Sequence, residues 1–131
     1  MFDIDTSGVA PIWKQIEEGM RRMISLGVLR PGEAVPSVRD LARMLRVNPN
    51  TVARAYQRLT EGGVFAVRRG EGTFVAHDPV QMKRSERQEA LHDAAARYAR
   101  TAMAVGASRD EATEALAASY QRVVRELRRK A

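Results

Sequence analysis

Asn50, Thr51, Arg54, Gln57 and Arg58 fall on one side of the stretch V-N-P-N-T-V-A-R-A-Y-Q-R-L, Val47 to Leu59, once it is wound as an α-helix. Amide, hydroxyl and guanidinium groups are the donors and acceptors that contact base edges and phosphates of a nucleic acid. On the other side Val52, Ala55, Tyr56 and Leu59 recur at the three- and four-residue spacing of a buried stripe. The start of this helix is sharply marked. Asn48 can accept an unpaired backbone N–H of the first turn, and Pro49 then sits at the first helical position, where a missing N–H costs nothing.

A second helix must lie just before it. Ser37 followed by Asp40 resembles a capping pair, and Val38, Leu41, Ala42 and Leu45 supply an apolar stripe. Arg46-Val47-Asn48 would join the two helices, and small residues such as Ala42 and Ala55 would let them approach closely. That is the helix-turn-helix pattern, whose second helix enters the major groove of DNA. Two short amphipathic helices with charged outer faces also fit a merely solvated surface. The next segment bears on the choice: Glu61-Gly62-Gly63 can end the helix, and Val64 to Ala76 reads as two strands around a Gly-rich turn. A hairpin directly after a helix-turn-helix is a wing.

Four ordered motifs then coincide: P-I-W-K-Q-I from Pro11, P-G-E-A-V-P-S-V-R-D-L-A from Pro31, N-P-N-T-V-A-R-A-Y from Asn48, and R-R-G-E-G-T-F-V from Arg68. Together they resemble the winged-helix domain of the GntR family of bacterial transcription regulators, and the N-P-N-T-V-x-R-A-Y form with a short helical tail is most similar to its YtrA subfamily. The resemblance covers residues 1 to 76 by motif. It implies a mainly α fold with a small β-sheet, an N-terminal winged helix-turn-helix followed by a two-helix dimerisation hairpin. The expected DNA-contacting set is Ser37, Arg39, Asn50, Thr51, Arg54, Arg58, Arg68, Arg69, Gly70, Gly72 and Thr73. In the family the residue matching Arg39 contacts DNA, and the wing tip reaches the minor groove or backbone, with Arg68 and Arg69 as cations and Gly70 and Gly72 permitting close approach. Glu71 is expected to point away.

One departure stands out. Many members carry basic residues where this chain has Pro49 and Ala53, whereas here the arginine is Arg54. A one-residue shift turns a side chain about 100° around the helix, so base preference does not carry over from those members.

Composition is consistent with a DNA partner. The net charge is +6, and between Ser37 and Thr73 seven arginines face three acidic residues, a local +4. With no cysteine, thiolate metal sites and disulfides are excluded, and no long apolar run or secretory signal is visible, which points to a cytoplasmic protein. His77 and His92 are isolated in sequence and read as structural or exposed rather than as metal ligands. The G-x-G of the wing lacks the following helix of a dinucleotide site. No cofactor is expected: some GntR relatives fuse this domain to an aminotransferase-like one that uses pyridoxal phosphate, but 131 residues leave no room for it, and Lys14, Lys83 and Lys130 sit in no cofactor motif.

Around the central pair, Pro11 opens a helix with the stripe Ile12, Ile16, Met20, Met23 and Ile24 and with Trp13 on its flank, ending near Gly27. Phe2-Asp3-Ile4-Asp5 reads either as a short edge strand or as an arm lying on a partner subunit, and Ala34-Val35 as a small third strand beside the wing. The domain division falls at residues 1–77 and 78–131. In the tail, one helix runs through Leu91, Ala94, Ala95, Tyr98, Ala102 and Val105, and Ser108-Arg109-Asp110-Glu111 caps another bearing Leu116, Tyr120, Val123 and Leu127. A lone helical hairpin cannot bury both sides of its apolar stripe, so a homodimer is expected through Leu91, Tyr98, Leu116, Tyr120, Val123 and Leu127, reading an inverted repeat in double-stranded DNA. The resemblance implies a repressor of a nearby operon, often one encoding an ABC transporter. A small-molecule effector is left open as a partner. The rival reading is a non-specific architectural DNA-binding protein using the same basic surface.

Overall fold

The computed structural model describes residues 1–129, so Lys130 lies outside the described residues. The order is α1 (Ile12–Ser25), α2 (Val38–Leu45), α3 (Pro49–Glu61), β1 (Phe65–Arg68), β2 (Gly72–Val75), α4 (Arg84–Ala104) and α5 (Arg109–Arg129). The architecture is mainly helical with a small two-stranded antiparallel sheet. Among the described residues the chain forms two compact units, Met1–Val80 with residues 126–129, and Gln81–Arg125.

In the first unit, α1, α2 and α3 surround a core in which Ile16, Met20, Leu41, Val52, Ala55 and Leu59 have no exposed surface. Each helix enters it by the stripe its sequence carries. The caps act locally: Ser37 Oγ accepts from Asp40 N at 3.1 Å, and Asn48 Oδ1 from Asn50 N at 2.8 Å. Between them Arg46 ends α2 in the left-handed region at φ 57°. In β1 and β2, Phe65 pairs with Val75 and Arg68 with Gly72, leaving Arg69-Gly70-Glu71 as the tip. The expected third strand reduces to a single bridge, Ala34 with Phe74, reinforced by Val35 N to Thr73 O at 3.0 Å. Pro36, with no N–H to donate, stops the ladder there.

The N-terminal residues form no strand; they fold over α1 of the same chain. The Gln15 side-chain amide donates to Asp5 O at 2.9 Å and accepts from Asp5 N at 2.8 Å. Phe2 is buried against Gly19, where an added Cβ would lie 2.6 Å from the ring. Glycine inside a helix costs about 0.5–1 kcal/mol relative to alanine, and here the missing Cβ makes the seat for Phe2. Leu127 is also buried in the core cluster of this unit.

In the second unit, Ser108 Oγ accepts from Glu111 N at 3.1 Å to cap α5, and Tyr98 Oη donates to Ala112 O at 2.7 Å, joining the two helices. Their larger apolar side chains stay uncovered: Leu91 is 70% exposed, Leu116 54% and Tyr120 67%.

Gly19→Ala is expected to expel Phe2 and lower stability by about 1–3 kcal/mol, the usual cost of overpacking. Urea unfolding measures the loss, and limited proteolysis near residue 2 should quicken; unchanged stability would mean that the arm contributes nothing to the core.

Candidate nucleic-acid interface

The surface built by α2, α3 and the wing is set by how α3 is held. Tyr56 is buried, its ring meets Phe65 edge-on at 5.1 Å between centroids, and its hydroxyl donates to Pro36 O at 2.6 Å. Burial pushes the Tyr56 phenol up from its ordinary value, so it stays a donor. One side chain thus ties α3 to the segment that opens α2 and to the first wing strand.

With α3 fixed this way, Asn50, Ala53, Arg54, Gln57 and Arg58 are exposed, and Thr51 is half-buried. Ser37 and Arg39 are exposed at the start of α2, with the Ser37 oxygen engaged as the cap. At the wing tip Arg69, Gly70 and Gly72 are exposed, Gly70 and Gly72 with φ of 80° and 124°, while Thr73 is half-buried within β2. Glu71 is exposed beside them.

The arginines divide into two groups. Arg58 Nε donates to Glu17 Oε2 at 3.1 Å, and its Cζ lies 4.7 Å from the Trp13 ring centroid. Arg68 is half-buried, its Cζ 4.1 Å over the Phe74 ring and its Nη2 3.3 Å from His77 Nε2. Among the described residues the side chains of Arg39, Arg46 and Arg69 make no hydrogen bond or ion pair, and the Arg54 side chain only lies over Trp13, with Cζ 4.5 Å from the centroid. Cations of this second group keep every N–H for an incoming anion.

Along the sequence Trp13 is legible only as a residue on the flank of α1. The available signal was the one-turn repeat of Trp13 and Glu17 on α1 against that of Arg54 and Arg58 on α3. His77, isolated along the chain, is brought to Arg68 only by the hairpin. Among the described residues no group of three or more His, Asp or Glu is placed to hold a metal, and no helix is long and apolar enough to cross a membrane.

Comparison with known proteins fits this geometry. The model of the bacterial regulatory proteins of the gntR family matches residues 13–75, the span from Trp13 to the end of the wing. An HTH-type transcriptional regulator of Mycobacterium tuberculosis is 34% identical over 110 residues, covering 83% of this chain and 85% of that protein. The chain belongs to the GntR family. The HTH-type transcriptional repressor YtrA of Bacillus subtilis is 38% identical over 78 residues, and the match spans 60% of each protein. Among solved structures, a transcriptional antiterminator from Listeria monocytogenes covers 95% of this chain and 92% of its own at TM-score 0.70 and 30% identity. AraR(DBD) in complex with an operator covers 58% of this chain and 93% of its own at TM-score 0.50 and 25% identity. These relatives are regulators by name, and the fold is that of a GntR winged helix-turn-helix rather than of an enzyme.

Tyr56→Phe removes the hydrogen bond to the half-buried Pro36 carbonyl and is expected to cost about 0.5–1.5 kcal/mol, the net worth of such a bond. Chemical denaturation reads this directly; a change below a few tenths would remove the hydroxyl from the account of how α3 is held.

Proposed function

We propose that this protein is a cytoplasmic, dimeric, sequence-specific DNA-binding regulator that represses transcription from an inverted-repeat operator. Residues 1–77 serve as the DNA-binding domain and 78–131 as the dimerisation tail. The observation that carries the reading is the surface of α3. Asn50 and Arg54 stand exposed on a helix whose opposite face is buried, with a glycine-tipped wing alongside. Asparagine reads adenine and arginine reads guanine through paired hydrogen bonds in the major groove. Arg39, at the start of α2, suits a phosphate, because backbone N–H groups at that helix end also favour an anion. Arg69 at the wing tip adds a backbone or minor-groove contact.

Dimerisation has its own support. Leu91, Tyr98, Leu116, Tyr120 and Val123 stay exposed on α4 and α5, and the same helices of a second copy would cover them. Leu127 is already buried in its own chain, so the interface falls to the other five. Two copies related by a two-fold axis would set two α3 helices on one face of the duplex, about one helical turn or a multiple of it apart. Repression rests on the likeness to the repressor YtrA; control of a nearby operon, its own or one with an ABC transporter, is what the family resemblance implies, and a small-molecule effector would act through the tail.

Selection from random DNA should enrich an inverted repeat. On that repeat Arg54→Ala should lose about tenfold or more, the size of one base contact, and lose much less on scrambled DNA. Arg69→Ala should weaken both duplexes alike and lower the salt slope by about one, as a phosphate contact does. If the parent protein binds every duplex equally, the architectural reading replaces this one.

Sedimentation at micromolar concentration should give a dimer, and the double variant Leu116→Asp and Tyr120→Asp a monomer with weakened operator binding. A monomeric parent would remove the dimer from the proposal.

A further inference from the structure

Trp13 belongs to α1, outside the helix-turn-helix, yet both arginines of α3 lie over its ring. Trp13 and Glu17 are one turn apart on α1, and Arg54 and Arg58 are one turn apart on α3. The guanidinium carbons of Arg54 and Arg58 sit 4.5 and 4.7 Å from the ring centroid. Arg58 is held a second time, by Glu17 at 3.1 Å, and the Glu17 side chain is only 14% exposed. Arg54 has no such acid among the described residues, so its one anchor is the ring.

A guanidinium laid on an aromatic face is restrained by attraction to the ring while its N–H edges stay free. Paired recognition of guanine or phosphate uses those edges. Two arginines on one ring repel one another, and Glu17 offsets the charge of Arg58 alone. Arg58 and Glu17 therefore brace the ring, and Arg54 keeps both its charge and its donors for a ligand.

We propose that Trp13 is a positioning residue for Arg54, holding the guanidinium plane before DNA arrives, so that α1 takes part in the choice of sequence. This rests on the reading of the protein as a sequence-specific DNA binder. In it, Arg58 serves as a brace rather than a reader.

The test uses the full chain, the duplex selected by the parent protein and a scrambled duplex of equal length. Trp13→Leu should lose about tenfold on the selected duplex, the scale of one desolvated cation–ring contact, and change little on the scrambled one. Trp13→Phe, which keeps a ring, should recover most of that loss. Adding Trp13→Leu to Arg54→Ala should cost nothing further, because residues acting as one unit are non-additive. Trp13 is the only tryptophan, so its emission reports the contact directly. Arg54→Ala should shift the emission of the free protein, and the selected duplex should alter it in the parent but not in Arg54→Ala.

Equal losses on both duplexes, additive losses with Arg54→Ala, or emission indifferent to Arg54 would each overturn the positioning role while leaving sequence-specific binding intact. A parent protein with no preferred sequence would instead sink the functional reading itself, and this proposal with it. Should Trp13→Leu fail to fold, Trp13→Phe and the emission of Arg54→Ala still decide the matter.

Discussion

The burial of one stripe on α3 governs the rest of the structure. Val52, Ala55 and Leu59 are fully enclosed and Tyr56 nearly so. Enclosing a large apolar side chain yields about 1.5–3 kcal/mol, so turning α3 about its axis by even one residue would forfeit several such contributions. That constraint fixes the opposite face as well. With Val52 and Ala55 inside, Asn50, Ala53, Arg54 and Gln57 must be outside, and no separate force is needed to present them. The hydroxyl of Tyr56 adds direction to a packing that is otherwise non-directional, because its bond to Pro36 O sets where α2 begins relative to α3.

Features that depend on near neighbours were legible along the chain. The caps at Ser37 and Asn48, the stripes of α1 to α3 and the glycine-tipped hairpin each need only a few consecutive residues, and each forms as the spacing predicts. Features that depend on distant partners were not. Phe2 reads as part of an edge strand or of an arm reaching a partner subunit, because nothing in its own neighbourhood announces that Gly19 lacks the Cβ that would fill its seat. Ala34 and Val35 look like a strand, and Pro36 limits them to a bridge. Exposed arginines look alike in a sequence; Arg58 differs from Arg54 only because Glu17 lies beside one of them.

The tail follows a different balance. The first unit buries its large apolar side chains, whereas α4 and α5 leave several of theirs in water. A stripe of this kind costs solubility unless something covers it, and the alanines around it allow a close approach. Tyr98 spends its hydroxyl on Ala112 O, so its ring contributes area rather than a polar contact.

The division among the arginines explains how a surface with a large positive charge could still discriminate. Attraction to phosphates is blind to sequence and grows with every free cation. A chain that left all seven arginines between Ser37 and Thr73 unengaged would gain affinity for any duplex. Here Arg58 is matched by Glu17, and Arg68 is laid on Phe74 beside His77, so two of the seven are committed within the protein. Arg43 lies 3.7 Å from Asp40, both largely exposed, a pairing that restrains it little. The uncommitted cations, Arg39, Arg46, Arg54 and Arg69, are spread from the start of α2 through α3 to the wing tip rather than clustered. Only a partner that meets them together can use them all, and of the four only Arg54 stands on α3, the helix proposed to enter the groove. If the protein reads sequence as proposed, discrimination would depend on how firmly that one guanidinium is aimed, and what restrains it is Trp13 on α1 rather than a residue of its own helix.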